Sequence, residues 1–457
     1  MDAISFGTDG WRAPLDVFTD ARVRVVGQAV ADYLRDEGRD APVAVGYDAR
    51  ETSEGFAESL AEVLAGNGFD VRLPERDCPT PVVAWAIVDR GLSGALMVTA
   101  SHNPPEYNGV KFIPDDGAPA LPEVTDAIED RLAELDLRPE AERGNVRRVD
   151  FVASHAAHAR ELVDADLSGT TVVYDAMHGS GRGVTDALLE SAGAEVVRRR
   201  CDRDPTFGGV PPEPSAEHLS ALADAVTDHD ADLGIANDGD ADRLAVVTPG
   251  RGFLDENLFF AAAYDYLLED AAGPAVRTVS TTFLIDRIAE AHGEEVFETA
   301  VGFKWVADAM VEHDALVGGE ESGGFSIRGH VPEKDGVLMS LLAAAATAEE
   351  PMDRRVDRLL DEHGRIVADK ISLDCPDAEK ARVLAELESV IPERVAGREV
   401  AEVVTLDGFK LLLADGSWLL VRPSGTEPKL RVYAEAESEK RVGALLEAGR
   451  ELVTPLL

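Results

Sequence analysis

The chain has 457 residues, more than one compact core usually organises, so we expect roughly three or four domains. It carries 87 acidic residues against 44 basic ones, a formal net charge of −43 at pH 7, which argues against nucleic acid as a partner. The acids are spread along the chain without a long block, so we interpret them as a surface adapted to high salt, where screening weakens their mutual repulsion.

The sequence predicts neither membrane insertion nor secretion. No segment has the ~20 uninterrupted apolar residues that a membrane-spanning helix needs, and the first residues lack the basic region and apolar core of a secretory signal. The cysteines, Cys78, Cys201 and Cys375, are widely spaced and indicate neither a disulfide framework nor a zinc site. We therefore expect a soluble, cytoplasmic protein.

Residues 1–145 alternate between predicted strands and helices. An apolar strand over 43–47 is followed by a helix that ends at Gly66-Asn67-Gly68, and a helix over 82–88 leads into a strand over 94–99. Alternating strands and helices favour a parallel sheet.

Residues 146–250 and 251–365 repeat this organisation. In the first of these segments, strands are predicted over 171–174, 195–198 and 233–236, and helices over 185–192 and 221–229. Residues 366–457 differ, because short strands over 403–406, 410–413 and 418–421 are separated by the turn signals Asp407-Gly408 and Asp415-Gly416. With a final helix over 437–452, this segment is predicted to be a smaller α+β domain.

Four polar loops, three of which contain glycine, each follow an apolar strand. They are Ser101-His102-Asn103, residues 237–243, residues 318–324 and residues 422–426. Ligands of open α/β sheets bind beyond the carboxyl ends of the strands, so these loops are candidates for one shared site. Taken alone, a Ser-His pair in a turn is more often only a turn.

Three aspartates alternate in the second loop: Asp238, Asp240 and Asp242. Carboxylates this close repel one another unless a cation lies among them, and oxygen ligands suit Mg²⁺ or Ca²⁺. An EF-hand is excluded, because its sixth and twelfth positions would be Arg243 and Pro249. The alternative, a solvated acidic turn, is disfavoured by the apolar strand before the loop and by Arg243.

The order of these motifs resembles the α-D-phosphohexomutase superfamily over nearly the whole chain. The resemblance begins at Phe6-Gly7-Thr8-Asp9-Gly10-Trp11-Arg12 and continues through the four loops, with Val301-Gly302-Phe303-Lys304 and Glu333-Lys334-Asp335-Gly336 between them. One departure is Trp11-Arg12-Ala13, where the family more often has a small or aliphatic residue followed by Arg-Gly. The acidic composition is similar to that of a haloarchaeal-like member.

The resemblance implies three similar mixed α/β sheet domains and a smaller C-terminal α+β domain around a central cleft. Their expected bounds and roles are 1–145 with the phosphoserine, 146–250 with the metal, 251–365 with the sugar and 366–457 with the phosphate. It also implies that Ser101 carries a phosphoryl group and that Mg²⁺ bridges it to Asp238, Asp240 and Asp242. Arg243 would add positive charge.

Proton transfer requires a base near the attacking sugar hydroxyl. The candidates are Lys111, His102 and Lys304, and we favour Lys111, because only eight lysines occur in the chain and this one has apolar neighbours. A lysine among other cations has a lowered pKa. His102 is alternatively a residue that orders the loop.

Two further loops are expected to bind the substrate. Glu320 and Ser322 suit sugar hydroxyls, together with Gly302, Phe303 and Lys304 of the family motif, whereas Glu321 is expected to be structural. A nest for a phosphate dianion is predicted at Arg422, Ser424, Gly425 and Thr426, and the resemblance adds Arg12. The alternative for residues 422–426 is a simple turn.

We therefore expect a mutase that interconverts hexose 1-phosphate and hexose 6-phosphate, a phosphoglucomutase or phosphomannomutase. Phosphoserine would give its phosphoryl group to the sugar, a 1,6-bisphosphate would turn over in the cleft, and the same bisphosphate would act as activator. Alternatives are a phosphoglucosamine mutase, a metal-dependent sugar phosphatase and a non-catalytic sugar-phosphate sensor. The expected partners are small sugar phosphates, with neither nucleic acid nor membrane, and the oligomeric state is left open.

Overall fold

The computed structural model describes residues 3–7, 10–425 and 427–457, and in these ranges the chain forms four β-sheets. Each sheet is built from a continuous segment of the chain, and helices pack against it. We call the four segments the first, second, third and fourth units, each defined by its sheet. Short 3₁₀ turns occur at Glu140–Glu142, Phe207–Gly209 and Thr454–Leu456.

The first sheet has the strand order β1-β5-β4-β2-β3-β6. Its strands are β1 Gly10–Pro14, β2 Val43–Tyr47, β3 Val71–Pro74, β4 Ala95–Val98, β5 Tyr107–Ile113 and β6 Val146–Val149. Its helices are α1 Asp20–Asp36, α2 Ser53–Gly66, α3 Thr80–Arg90 and α4 Pro122–Glu129.

This sheet is mixed, as the family resemblance implied, and not purely parallel as the alternation of elements alone predicted. β2, β3, β4 and β6 pair in parallel, whereas β5 is antiparallel to both β4 and β1. The physical reason is the connection from β4 to β5, residues 99–106, which is shorter than the roughly dozen residues of a parallel crossover. β6 lies beyond the expected boundary at residue 145 but pairs with β3, so the first sheet extends past that point.

The second sheet has the order β11-β10-β9-β7-β8. Its strands are β7 Thr171–Asp175, β8 Glu195–Arg199, β9 Leu233–Asn237, β10 Leu244–Thr248 and β11 Gly252–Leu254, and its helices are α5 Val152–Leu162, α6 Thr185–Ser191 and α7 Ser220–Asp228. β7 lies parallel to both β8 and β9, and β10 runs antiparallel to β9.

The third sheet has the order β13-β12-β14-β15. Its strands are β12 Ala275–Thr278, β13 Val296–Thr299, β14 Val317–Gly319 and β15 Phe325–Ile327. The accompanying helices are α8 Glu256–Asp270, α9 Leu284–His292, α10 Phe303–Glu312, α11 Gly336–Glu349 and α12 Met352–His363. α11 is apolar and buried on nearly every side, which identifies it as a central helix.

The fourth sheet has the order β16-β21-β20-β19-β18-β17, with antiparallel neighbours. Its strands are β16 Val367–Asp374, β17 Arg394–Val395, β18 Arg398–Val404, β19 Phe409–Leu413, β20 Trp418–Pro423 and β21 Lys429–Ala436, and its helices are α13 Asp377–Val390 and α14 Glu439–Val453. The strand predicted over 403–406 is displaced, because the chain leaves β18 at Val404 to enter the turn at Asp407-Gly408. β16 and β21 were not predicted, although polar residues alternate with apolar ones along parts of both, which is the pattern of a half-buried strand.

The packing joins the units into one molecule. One apolar cluster contains side chains of α3, α5, α6, α8 and α11, and so connects the first three units. A smaller cluster, including Val279, Phe283 and Trp418, connects the third unit to the fourth. Among the described residues, no helix is both long enough and apolar enough to cross a membrane.

Candidate functional site

Ser101 lies at the carboxyl end of β4, where the first and second units meet. Its side chain is buried, and its Oγ donates a hydrogen bond of 2.7 Å to Asp238 Oδ2. The backbone N–H of Ser101 donates to Thr99 Oγ1 at 2.8 Å. The structure therefore joins the serine loop to the aspartate loop that follows β9, two loops that are 137 positions apart in sequence.

A buried arginine, Arg50, fixes the loop that carries Ser101. Its two terminal nitrogens donate to the carbonyl oxygens of residues 101, 103, 104 and 107 at 2.7–3.1 Å. Asp48 Oδ2 in turn accepts from Arg50 Nε at 3.0 Å. Sequence analysis did not select Arg50, although Asp48-Ala49-Arg50 follows β2, the parallel neighbour of β4, at the same edge of the sheet.

The three aspartates form a buried group of oxygen ligands. One carboxylate oxygen from each lies within 4.8 Å of the others. Asp238 Oδ1 accepts from the Arg243 backbone N–H at 3.1 Å, but Asp240 Oδ1 and Asp242 Oδ1 are buried without a hydrogen-bond partner in the described part of the chain. Buried carboxylate oxygens left unpaired are costly, so this donor set fits a hard cation such as Mg²⁺.

The pKa values of two of the three aspartates are shifted in opposite directions. Burial raises the pKa of Asp238, and the charges of Asp240 and Asp242 raise it further. Burial also acts to raise the pKa of Asp242, but the ammonium groups of Lys334 and Lys111 hold it below its usual range. A dication among the three carboxylates would favour the charged form of each.

Cationic side chains lie beside Asp240 and Asp242. Lys111 Nζ lies 3.3 Å from Asp240 Oδ2 and 3.2 Å from Asp242 Oδ2, and Lys334 Nζ lies 3.3 Å from Asp242 Oδ2. Arg243 Nε is 3.9 Å from Asp242 Oδ1. Lys334 belongs to the motif Glu333-Lys334-Asp335-Gly336 but was not predicted to be a site residue. Because the chain has only eight lysines, the position of Lys334 inside a motif was the signal that could have identified it as a site residue.

His102 also contacts the serine, since its Nδ1 lies 3.3 Å from Ser101 Oγ. Burial lowers the pKa of His102 well below its usual value, and the positive charges of Arg243 and Arg12 act in the same direction. Arg12 is in β1, opposite Gly109 of β5, so the structure places it beside the serine loop.

The candidate sugar residues are brought together by Glu320. Its Oε1 accepts from the Gly302 backbone N–H at 2.9 Å, which connects the loop after β14 to residues 302–304. Burial raises the pKa of Glu320, and the neighbouring Glu321 raises it further. Lys334 Nζ lies 5.2 Å from the centre of the Phe303 ring, so this loop borders the lysines around the aspartates. Lys304 lies over the Trp305 ring, and Ser322 is partly exposed.

The candidate phosphate loop follows β20 in the fourth unit. Arg422 Nε donates to Asp407 Oδ2 at 2.8 Å, and the same oxygen accepts from the Val301 backbone N–H at 3.1 Å. Ser424 Oγ accepts from the Glu427 N–H at 3.2 Å, and Gly425 is exposed. Thr426 lies outside the described residues, as do Thr8 and Asp9 of the opening motif. Asp407, which sequence analysis treated only as a turn residue, therefore connects the phosphate loop to the sugar loop.

The chain combines three mixed α/β units with a smaller fourth unit and places a serine against an aspartate triplet. This combination agrees with the resemblance of the sequence to the α-D-phosphohexomutase superfamily. Residues 3–139, 150–252, 255–364 and 371–452 match, in this order, the phosphoglucomutase/phosphomannomutase alpha/beta/alpha domains I, II and III and the C-terminal domain.

Relatives match over the whole length. A phosphoglucomutase/phosphomannomutase of Thermococcus kodakarensis is 32% identical, and the match covers 99% of each chain. A protein of Methanopyrus kandleri named as a phosphoglucosamine mutase is 34% identical over 96% of this chain and 95% of its own. A crystal structure named for a phosphomannomutase of Thermus thermophilus superposes with a TM-score of 0.86 at 32% identity, covering 99% of both chains. The chain belongs to the phosphoglucomutase/phosphomannomutase family.

Proposed function

We propose that the protein is a phosphohexomutase that interconverts hexose 1-phosphate and hexose 6-phosphate, acting on glucose or mannose phosphates. The observation that carries the proposal is the contact of 2.7 Å between Ser101 Oγ and Asp238 Oδ2, beside buried carboxylate oxygens that no described group satisfies. A hydroxyl at this position can hold a phosphoryl group next to a divalent cation.

Asp238, Asp240 and Asp242 would hold Mg²⁺ together with an oxygen of phosphorylated Ser101. When bound, the ion supplies positive charge that stabilises the loose transition state of phosphoryl transfer. Arg243 lies beside the same group and is suited to add to that charge, while Lys111 and Lys334 keep Asp242 ionised.

In the forward half-reaction, the bond between phosphorus and Ser101 Oγ breaks, and a new bond forms from phosphorus to the free hydroxyl of the bound hexose monophosphate. The hydroxyl proton passes to a base, for which Lys111 is our first candidate, acting from its deprotonated form, and His102 and Lys304 are the alternatives. The resulting 1,6-bisphosphate reorients, and its other phosphoryl group transfers to Ser101 Oγ. Added 1,6-bisphosphate would activate the enzyme by restoring the phosphoserine.

The remaining residues would position the sugar phosphate. We assign the phosphate that is not reacting to Arg422, Ser424, Gly425 and Thr426, and Arg12 to the phosphate next to Ser101. Glu320 and Ser322, with Gly302, Phe303 and Lys304, would hold ring hydroxyls that occupy equivalent places in both orientations. The first, second, third and fourth units would thus supply the phosphoserine, metal, sugar and phosphate sites, respectively.

A phosphoglucosamine mutase is the second candidate, because a relative of 34% identity carries that name. We favour the hexose interpretation because Glu333-Lys334-Asp335-Gly336 and Gly324 resemble that branch. The acidic composition supports a protein that works at high salt, and we propose a cytoplasmic location.

The discriminating assay offers glucose, mannose and glucosamine 1-phosphates to the purified protein, each with and without the matching 1,6-bisphosphate. We expect the protein to form glucose 6-phosphate and mannose 6-phosphate, and we expect its activity to increase when bisphosphate is added. Preferred turnover of the glucosamine substrate would favour the second candidate. Stoichiometric release of inorganic phosphate without the 6-phosphate would indicate a phosphatase and contradict the proposal.

A further inference from the structure

A second group of metal-ligand side chains lies between the second and third units. His155 projects from α5, and Asp335 caps the start of α11, with His330 on the loop before it. His155 Nε2 lies 2.6 Å and His330 Nε2 3.0 Å from the same oxygen, Asp335 Oδ2. All three side chains have no solvent-exposed surface. We call these residues the histidine cluster.

The polar atoms of the histidine cluster are incompletely satisfied. Asp335 Oδ1 is occupied, because it accepts from the Leu338 backbone N–H at 2.8 Å. His330 Nε2 faces Asp335 Oδ2 without the geometry of a hydrogen bond, and His155 Nδ1 is buried with no partner among the described residues. Buried nitrogens without a partner are uncommon, and of these two only His330 Nε2 faces the shared oxygen where an ion would lie.

A neighbouring histidine contacts the other ring nitrogen of His330. His158 Nε2 lies 3.1 Å from His330 Nδ1, and the indole of Trp85 stacks on the His158 ring at 3.7 Å between centroids. In the tautomer whose Nδ1–H donates to His158, His330 Nε2 points a lone pair at a carboxylate oxygen. Two acceptors facing each other repel, and a cation between them removes the repulsion.

The donor set also selects the kind of cation. Two imidazole nitrogens and one carboxylate oxygen suit zinc and related transition metals, whereas Mg²⁺ prefers oxygen alone. Ligand atoms about 2.0–2.1 Å from a tetrahedral ion lie roughly 3.3 Å apart. The observed separations of 2.6 and 3.0 Å from Asp335 Oδ2 would therefore increase by less than 1 Å on binding.

We propose that His155, His330 and Asp335 bind one Zn²⁺ ion, which fastens α5 of the second unit to the start of α11 in the third. His158 acts as a positioning residue that orients the His330 ring. Because Trp85 belongs to α3, the site also holds the first unit against the other two. The site is separate from the aspartate triplet, and the inference does not depend on the proposed function.

The test measures zinc bound to the full-length protein in molar KCl with excess Mg²⁺, which occupies the aspartate triplet. After equilibration with zinc and gel filtration, we expect one equivalent of zinc on the wild type and a rise in Tm of a few degrees over the protein treated with a zinc-selective chelator. This measurement needs no variant, so it remains informative if a substitution impairs folding.

Variants then locate the ion. His155→Gln and His330→Gln should lose the bound equivalent and the zinc-dependent Tm shift, and His158→Gln should weaken zinc binding by roughly 10–100-fold. His229→Gln, at an exposed histidine in the second unit, is the matched control and should retain both. A wild type that binds no zinc in excess Mg²⁺, or His155→Gln and His330→Gln proteins that still bind one equivalent, would overturn the proposal and leave the cluster as a hydrogen-bonded contact.

Discussion

Ser101 has a left-handed backbone conformation, with φ at 50°, which few residues other than glycine adopt without strain. Contacts on both sides maintain it: the N–H of Ser101 donates to Thr99 Oγ1, and its carbonyl oxygen accepts from Arg50 Nη2. Gly239 lies against the same peptide, because a Cβ there would come within 2.6 Å of the Ser101 carbonyl oxygen. The surroundings therefore fix the direction of a single hydroxyl.

Ser101→Ala should abolish mutase turnover while leaving the fold and the binding of sugar phosphates largely intact, because it removes only the buried oxygen that would carry the phosphoryl group. Intact-mass measurement should show a phosphate adduct on the wild type that is missing from the variant. Ser389→Ala, at an exposed serine of α13, is the control and should keep both adduct and activity. Wild-type turnover in Ser101→Ala would exclude this serine as the carrier.

Asp240→Asn should lose activity and Mg²⁺ affinity together, because a neutral amide is a weaker ligand for a hard dication. We expect affinity to fall by at least about 10–100-fold, measured as the Mg²⁺ concentration giving half-maximal activity. Asp228→Asn, an exposed residue of the same unit, controls for the change of net charge. Normal turnover of Asp240→Asn at low Mg²⁺ would mean that the triplet is not a metal site.

At the scale of elements, the loops that carry the candidate site residues were easier to predict from the sequence than the residues that hydrogen-bond to those loops. The strand-then-loop pattern located Ser101, Asp238 and Glu320, because the carboxyl ends of strands gather at one edge of a sheet. Arg50 and Asp407 were not found, since their importance lies in hydrogen bonds to backbone groups far away in sequence. β16 and β21 were missed although their partial alternation of apolar and polar residues is a strand signal, because neither strand is followed by a motif loop of the kind that drew attention to the others.

Asp407 gives the clearest prediction about coupled elements, because one of its oxygens connects the turn before β19 to both Arg422 and Val301. Asp407→Ala should lower kcat/KM for hexose phosphates by roughly 10–100-fold, the equivalent of about 1.5–3 kcal/mol for hydrogen bonds to a charged group. Asp407→Asn, which can still accept from the Val301 N–H, should lie between it and the wild type.

The matched control for this change is Asp415→Ala. Asp415 occupies the equivalent place in the next hairpin, where it accepts from the hydroxyl and N–H of Ser417. The Asp415→Ala substitution should lower the stability of the protein more than it lowers kcat/KM. Equal kinetic losses in the Asp407→Ala and Asp415→Ala variants would show that the effect is a general loss of the fourth unit's fold.

At the scale of the whole molecule, the formal charge of −43 predicts that folding depends on salt. The Debye length falls from ~30 Å at 0.01 M to ~3 Å at 1 M, so molar KCl screens most repulsion between exposed carboxylates. We expect Tm to rise by roughly 5–10 °C or more between these concentrations, as several kcal/mol of repulsion is removed. A Tm that stays level or falls as KCl increases would refute this interpretation of the acidic surface.

The clamp that Arg50 places on residues 101–107 has a consequence for how the catalytic cycle is divided between protein and ligand. If Ser101 carries the phosphoryl group, a hydroxyl anchored through its own carbonyl group and those that follow it could not move with the phosphate, so the bisphosphate would have to leave the serine loop and reorient by itself. While it reoriented, rebinding of the bisphosphate would compete with its diffusion into solvent. A fixed serine loop would then make completion of each cycle depend on the residence time of the bisphosphate, and its escape would leave Ser101 without a phosphoryl group.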